Sequence, residues 1–376
     1  MSDKLHRWIK SQRRSKRETI NFWKKRPASF CIRLVERLFI VDSISNLVVR
    51  DISSLERLGI IQNFVTSIEK LEDPIIVERP NRVFSEVGLK IYDVRRSIFR
   101  YGIKDARVHL RSGLSGLFGG FIVEELYPSY MTIFGSGTVL HEYRKIKKSK
   151  FETLSGSWVV VENPRYYFHF IAQTLPTILR SLDHVTGPRI VCHSDAPLWL
   201  RDLLISLDAH TYFTKSEVVH LEHAVFTSAP EIASNPEVEL IRKSLAQFQS
   251  VKQSTNCFIG RPGKHRNLGL LESELTKNLN EKGINVIDPE SFTWNEELAF
   301  FASLSKAVIV NGSGVANLVW MQPDSEVIIL IDGGDFSTQI EKAFLMACKI
   351  KIIEIDIREY RHTEHILISK IIDFLS

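Results

Sequence analysis

Two segments of the chain carry residue types suited to phosphate chemistry. The first is Asn311-Gly312-Ser313-Gly314-Val315-Ala316-Asn317, preceded by the apolar run Val308-Ile309-Val310. A buried-type strand that runs into a glycine turn and then a helix brings free backbone N–H groups and a favourable dipole close to an anion. Open α/β sheets bind ligands in this place, at the carboxyl ends of their strands. The alternative is an ordinary tight strand-to-helix turn. The second segment is Gly260-Arg261-Pro262-Gly263-Lys264-His265-Arg266-Asn267. Its fixed charges Arg261, Lys264 and Arg266 follow a strand and can hold a diphosphate, the guanidinium groups through paired hydrogen bonds. Solvated loop charges are the alternative. Two such loops on one sheet edge favour a shared ligand over coincidence.

A third segment, Tyr166-Tyr167-Phe168-His169-Phe170, opens a helix that continues through Gln173 to Pro176. An imidazole can take a proton from an acceptor hydroxyl at neutral pH, so His169 is a candidate general base, with Glu162 as a nearby acid for the same task. A satisfied core histidine is the alternative. No D-x-D motif is present; Glu354-Ile355-Asp356 comes nearest and reads as a strand end. Four cysteines, Cys31, Cys192, Cys257 and Cys348, are widely spaced and form neither a C-x-x-C pair nor a zinc pattern, which fits a reducing compartment. No metal site is expected.

The elements that must position these residues alternate. Short β-type runs at Val87 to Val94, Ala106 to Leu110, Gly119 to Val123 and Met131 to Phe134 suggest a strand-rich region or small sheet, after a helical and mixed stretch from about 28 to 75. From Ser157 onward strand and helix alternate: Trp158 to Val161, a helix Phe168 to Leu182, Arg189 to Cys192, a helix Leu198 to Leu207. Such alternation predicts a parallel sheet covered on both faces. Pro, Ser and Asn around Pro230 to Pro236 mark a domain boundary, followed by a polar helix Glu237 to Gln249. A second alternating block then holds strands Asn256 to Ile259, Ile284 to Ile287, Ala307 to Val310, Glu326 to Leu330 and Ile350 to Ile355. Between them fall helices Leu270 to Lys282, Asn295 to Ser305, one opening at Gly314, and Thr338 to Cys348. The predicted organisation is a basic amphipathic arm (1–27), an N-terminal α/β domain (28–236) and a C-terminal α/β domain (237–376). Its last helix, Thr363 to Leu375, is expected to pack back on the first domain.

Charge is confined to one end of the 376-residue chain. Residues 1–27 hold ten Lys or Arg against Asp3 and Glu18, a balance of +8, whereas the remainder has 39 basic and 42 acidic residues, or −3. An acidic body lacks the distributed positive face that duplex binding requires, so no nucleic-acid partner is expected. In the arm, Leu5, Trp8, Ile9, Ile20, Phe22 and Trp23 interleave with the basic residues. That mixture suits an anionic membrane surface; a solvated leader is the alternative. No apolar run reaches the roughly 20 residues that span a bilayer, and the N-terminus lacks a signal-peptide core. The expectation is a cytoplasmic protein, held by its arm at the inner face of the cell membrane if the arm binds lipid.

From Trp158 to Asp332 the residues resemble glycosyltransferase family 61, which includes capsular-polysaccharide biosynthesis proteins. The aromatic-His helix ending in Leu-Pro (Tyr167 to Pro176), Arg261 with Arg266 and Asn267, the acidic helix start (Glu272, Glu274), Val286 to Glu290, Glu296 to Leu304 and the G-x-G-x-x-N turn ending at Asn317 occur in the family's order. The resemblance implies two Rossmann-like domains facing a cleft (GT-B type), a nucleotide-sugar donor with UDP-sugar foremost, no cofactor, and transfer with inversion to a glycan or lipid-linked acceptor hydroxyl. Arg261, Lys264, Arg266, Asn311, Gly312, Ser313, Gly314 and Asn317 would hold the donor, and His169 or Glu162 would deprotonate the acceptor. Three positions depart from the family pattern: Asn311 stands where it has His, Gln173 where it has an acid, and Glu297 where it has Gln. An altered donor and an inactive homologue that binds nucleotide or glycan as an assembly partner are the two readings of that loss.

Overall fold

The computed structural model describes residues 48–49, 65–72, 75–79, 91–95, 98–110, 114–117, 121–123, 150–161, 167–183, 187, 189–228, 234–248, 255–260, 269–332 and 339–376. The basic arm, the strand expected at Met131 to Phe134, and the candidate residues Glu162, Arg261, Lys264 and Arg266 lie outside them.

The architecture is mixed α/β with two main sheets. Strands β1 (Val48–Val49), β2 (Val65–Glu72), β3 (Ile75–Arg79), β4 (Ile91–Arg95), β5 (Ile98–His109), β6 (Leu114–Leu117) and β7 (Phe121–Val123) precede β8 (Phe151–Val161). Then come β9 (Arg189–His193), β10 (His210–Thr214) and β11 (Val218–Thr227). Apart from the separate β3–β4 hairpin, these form a sheet in the order β1-β7-β6-β5-β11-β8-β9-β10, with β2 pairing β5.

This sheet corrects the sequence-based expectation in two respects. It is parallel from β11 through β8 and β9 to β10 and again between β1 and β7; β11 runs antiparallel to β5, so the runs expected at Ala106 to Leu110 and Gly119 to Val123 join the larger sheet, whereas Val87 to Val94 overlaps β4, which pairs with β3. The joint is β11, whose ten residues, seven of them buried in the pattern BBiBeiBBBB, pair with β5 on one side and β8 on the other. The helical and mixed stretch from 28 to 75 also contains β2, which pairs with β5 from Val65 to Glu72. Its mixed composition, VTSIEKLE, hides a strand whose ladder partner lies about thirty residues away.

The second sheet is all parallel: β12 (Thr255–Ile259), β13 (Asn285–Ile287), β14 (Leu304–Val310), β15 (Glu326–Ile331) and β16 (Lys351–Asp356), in the order β13-β12-β14-β15-β16. Near-continuous apolar runs such as EVIILI in β15, buried along almost its whole length, are what a sheet covered on both faces selects. The order reverses between β12 and β14. At such a switch point the chains leaving two adjacent strands diverge to opposite faces of the sheet and open a crevice at the carboxyl edge.

Helix α1 spans residues 167–182 and contains a π turn at Phe170–Thr174. Helix α2 is Leu198–Ser206, α3 Asn235–Ser244, α4 Gly269–Glu281 and α5 Trp294–Ser303; α6 is Gln339–Ala347 and α7 Glu364–Leu375. A capping box starts α5, with Glu296 Oε2 accepting from the Thr293 backbone N–H at 2.8 Å. Its counterpart in α3, Glu237, is fully buried: it accepts from the Ser234 N–H at 2.8 Å and pairs with Arg180 of α1 at 2.8 Å. Burying that carboxylate is tolerable because both oxygens are hydrogen-bonded and the charge is neutralised. Helix α3 therefore locks the two halves together where the sequence suggests a boundary.

One apolar cluster runs through both halves, joining Val159, Leu175 and Ile190 to Cys257, Ile309, Trp320 and Phe344. The last helix, expected to return to the first domain, covers the second sheet instead: Leu367, Ile371 and Leu375 cluster with Phe258, Val308 and Leu330. Its length decides this, because α7 follows β16 by one 3₁₀ turn (Ile357–Tyr360) and its apolar stripe meets the nearest uncovered face. No helix among the described residues is long and apolar enough to cross a membrane.

Candidate functional site

A cavity of about 530 Å³ opens at the switch point. Ile259 from β12 and Ile309 and Val310 from β14 form its base, and Gly312, Ser313 and Gly314 form one wall. Pro289, Glu290 and Phe292, which follow β13, and Glu297 and Asn317 line it further. Tyr167 from α1 and Leu198 and Trp199 from α2 complete it from the first half. A volume of this size suits a nucleotide or sugar-nucleotide ligand.

The helix expected to open at Gly314 is a 3₁₀ helix, Ser313–Trp320. Six of its residues are buried, Val315 through Trp320, so the tighter coil is imposed by packing on nearly every side. Arg242 of α3 fixes the other end of this helix, donating to the carbonyls of Val319 (2.7 Å), Met321 (2.7 Å) and Cys348 (3.0 Å). A cation at the carboxyl end satisfies carbonyls that lack intrahelical partners.

The fold itself does not demand the glycines of this turn. Gly312 is extended (φ 161°, ψ −174°), and a Cβ built on it meets nothing within 4 Å. A Cβ on Gly314 meets only Ile309 Cδ1, at 4.0 Å. What the missing side chains leave is open space against backbone N–H groups, the property that close approach of a ligand requires.

At the inner end of the cavity the two halves meet through a hydrogen-bonded chain. The Tyr167 hydroxyl donates to Asn317 Oδ1, and Asn317 Nδ2 donates to Glu297 Oε1 at 2.6 Å. Asn317 is only 2% exposed, so its amide orientation is fixed by these two partners. Burial, reinforced by the negative charge of Glu297, holds the Tyr167 phenol well above the ordinary tyrosine range. Tyr167 also meets Trp199 edge to face (4.9 Å between centroids), and Trp199 leads through Trp294 to Trp320, a rigid aromatic path across the junction.

The candidates from sequence divide accordingly. Gly312, Ser313, Gly314 and Asn317 are brought together on the cavity. Asn311 sits beside it without lining it; its backbone N–H donates to Leu330 and its side-chain Oδ1 is buried without a hydrogen-bond partner among the described residues. His169 is half-buried and does not line the cavity either; its Nδ1 lies 2.8 Å from Gln173 Oε1 across the π turn. Two residues earlier on α1, about 200° round the helix, Tyr167 is the side chain that reaches the cavity. Sequence reasoning missed Tyr167, Trp199 and Phe292, whose aromatic character looks the same in a core as in a binding wall. Glu290 and Glu297 were legible only as members of the ordered pattern. Among the described residues no three His, Cys, Asp or Glu side chains gather as a metal site.

No curated protein matches the chain. Residues 167–328 match the family model described as Glycosyltransferase 61, and this segment contains every residue lining the cavity.

Proposed function

We propose that this protein transfers a sugar from a nucleotide-sugar donor, a UDP-sugar foremost, to a hydroxyl of a glycan or lipid-linked acceptor in the synthesis of a cell-surface polysaccharide such as a capsule. The observation that carries this reading is the switch-point cavity with its glycine wall, where added Cβ atoms would stand in open space. In this reading the halves work as in a GT-B arrangement, the second sheet holding the donor and the first contributing the acceptor side. The diphosphate lies against the N–H groups of the Gly312-Ser313-Gly314 turn, and Arg261, Lys264 and Arg266, which follow β12, neutralise it. Glu290 follows β13, the strand next to β12, where an acidic side chain in doubly wound sheets meets ribose hydroxyls.

Transfer is a direct displacement. The acceptor oxygen attacks the anomeric carbon, the bond to the diphosphate breaks on the opposite face, and the configuration inverts. The acceptor proton goes to His169, whose Nδ1 lies 2.8 Å from Gln173 Oε1, or to Glu162; His169 stands outside the donor cavity, so this step places the acceptor hydroxyl on the first-half side of it. Arginines and backbone N–H groups carry the developing negative charge, so turnover requires no divalent ion and persists in EDTA.

The test is incubation of purified protein with a panel of nucleotide-sugars, with binding, transfer and donor hydrolysis followed together. Binding with turnover supports the enzyme. Binding with neither transfer nor hydrolysis supports the second reading, an inactive nucleotide- or glycan-binding partner, which Gln173 and Asn311 motivate. Arg261→Ala should weaken donor binding or turnover by at least about 2 kcal/mol, and an unchanged affinity and rate would remove Arg261 from the site.

A further inference from the structure

Phe292 is fixed more firmly than its place in a connecting segment suggests. It is the single residue between the 3₁₀ turn Pro289–Ser291, which follows β13, and Thr293, the N-cap of α5. On its amino side the Asp288 side chain caps the turn, accepting from the Glu290 N–H at 3.1 Å, and the Phe292 N–H closes it by donating to the Pro289 carbonyl at 3.1 Å. On its carboxyl side the capping box of Thr293 and Glu296 holds the first turn of α5. A proline at the start of the turn and side-chain caps on both flanks leave this backbone little freedom. The ring is braced by Phe300 of α5, 5.1 Å between centroids, and lines the cavity. A half-buried aromatic ring held in this way is a stacking platform, and every nucleobase has a face to set on it.

Its distance from the glycine turn is suited to that use. In the all-parallel second sheet β13 and β14 flank β12, so the loop that carries Phe292 and the Gly312-Ser313-Gly314 turn leave the same edge two strand spacings apart, about 10 Å. A nucleotide-sugar diphosphate has two ends. The sugar end has to meet an acceptor on the side of the first half, from which Tyr167 and Trp199 enter the cavity. The nucleoside end then extends along the second sheet, and the ribose carries the base across from the glycine turn to the loop after β13.

We propose that Phe292 is the nucleobase platform of this site: its ring stacks on the base of the donor nucleotide, which sets the nucleoside over the loop after β13 and directs the sugar end toward the first half. The inference rests on the donor-binding reading above.

The experiment is isothermal titration of the full chain with UDP, GDP and inorganic pyrophosphate, repeated with Phe292→Ala and Phe292→Tyr. Phe292→Ala should weaken the nucleotide that binds by roughly 5- to 150-fold, the range of a lost base–aromatic stack. Pyrophosphate, which has no base, should keep its affinity within about twofold, and Phe292→Tyr, which keeps the ring face, should hold the nucleotide within about threefold of the parent. Unchanged nucleotide affinity in Phe292→Ala, or an equal loss for nucleotide and pyrophosphate, overturns the role of Phe292 and leaves the donor site standing. Where pyrophosphate binds too weakly to titrate, the tyrosine variant decides: retention supports the platform, and a loss equal to that of alanine overturns it. Where alanine unfolds the chain, judged by circular dichroism, Phe292→Leu takes its place, and a parent-like nucleotide affinity overturns the platform. Failure of UDP, GDP and pyrophosphate all to bind the parent overturns the donor reading and the platform together.

Discussion

Replacing Gly312 by alanine separates folding from ligand binding. The backbone at Gly312 is extended, a conformation open to any residue, and the new methyl would meet no protein atom within 4 Å. Alanine should therefore leave the folded state unstrained and restrict the unfolded chain, a gain of about 0.4–1 kcal/mol. For a chain of this size that corresponds to a rise of no more than roughly 2 °C in Tm. The same methyl occupies space that the turn leaves open on the 530 Å³ cavity. A diphosphate in contact with the backbone must shift to make room, at about 1–3 kcal/mol, the usual cost of overpacking by a methyl group. Affinity should fall roughly 5- to 150-fold. Thermal melting without ligand and calorimetric titration with UDP and UDP-sugars read the two effects separately. Unchanged nucleotide affinity in both Gly312→Ala and Gly312→Val would show that no phosphate lies against this turn. A Tm several degrees below that of the parent would show that the glycine serves the fold.

Further outcomes follow from other contacts. Tyr167→Phe removes the proton donated to Asn317 Oδ1 and leaves that 2%-exposed amide an unmatched acceptor, so urea unfolding should show a loss of about 1–3 kcal/mol, and a change under about 0.5 kcal/mol would mean the contact is dispensable. His223, whose Nδ1 lies 2.9 Å from Ser157 Oγ, is held by burial below its ordinary value of 6.5. Because the unfolded chain then takes up this proton first, stability should decline as pH falls through about 6.5, and His223→Gln should flatten that decline in urea midpoints measured between pH 5 and 8; parallel profiles would exclude His223 as the source. The thiols of Cys192, Cys257 and Cys348 are pushed up to about 12 by burial, so in the native protein at pH 8 they should resist a thiol reagent that labels them promptly in denaturant.

The second half was the more legible part of the fold. Its five strands are short apolar runs, its helices carry their own periodicity, and α5 announces its start with a capping box, all of it information contained within a few residues. In the first half the decisive pairing is β11 between β5 and β8, contacts that span more than sixty residues, and composition says nothing about a partner so distant.

The site divides along the same line. The sequence by itself determined that glycines follow a buried strand, that an aromatic helix precedes them by some 140 residues, and that acids lie between, because residue type and order are local facts. Only the tertiary structure decided that α1 presents Tyr167 and not His169 to the cavity, that Glu297 closes a hydrogen-bonded chain begun in the other half, and that the glycine positions face open space. Which side of a helix meets a ligand depends on the packing of every element around it, on the π turn in α1 and on the order in which the strands of the second sheet reverse. Those are properties of the assembled fold, and no stretch of chain contains them.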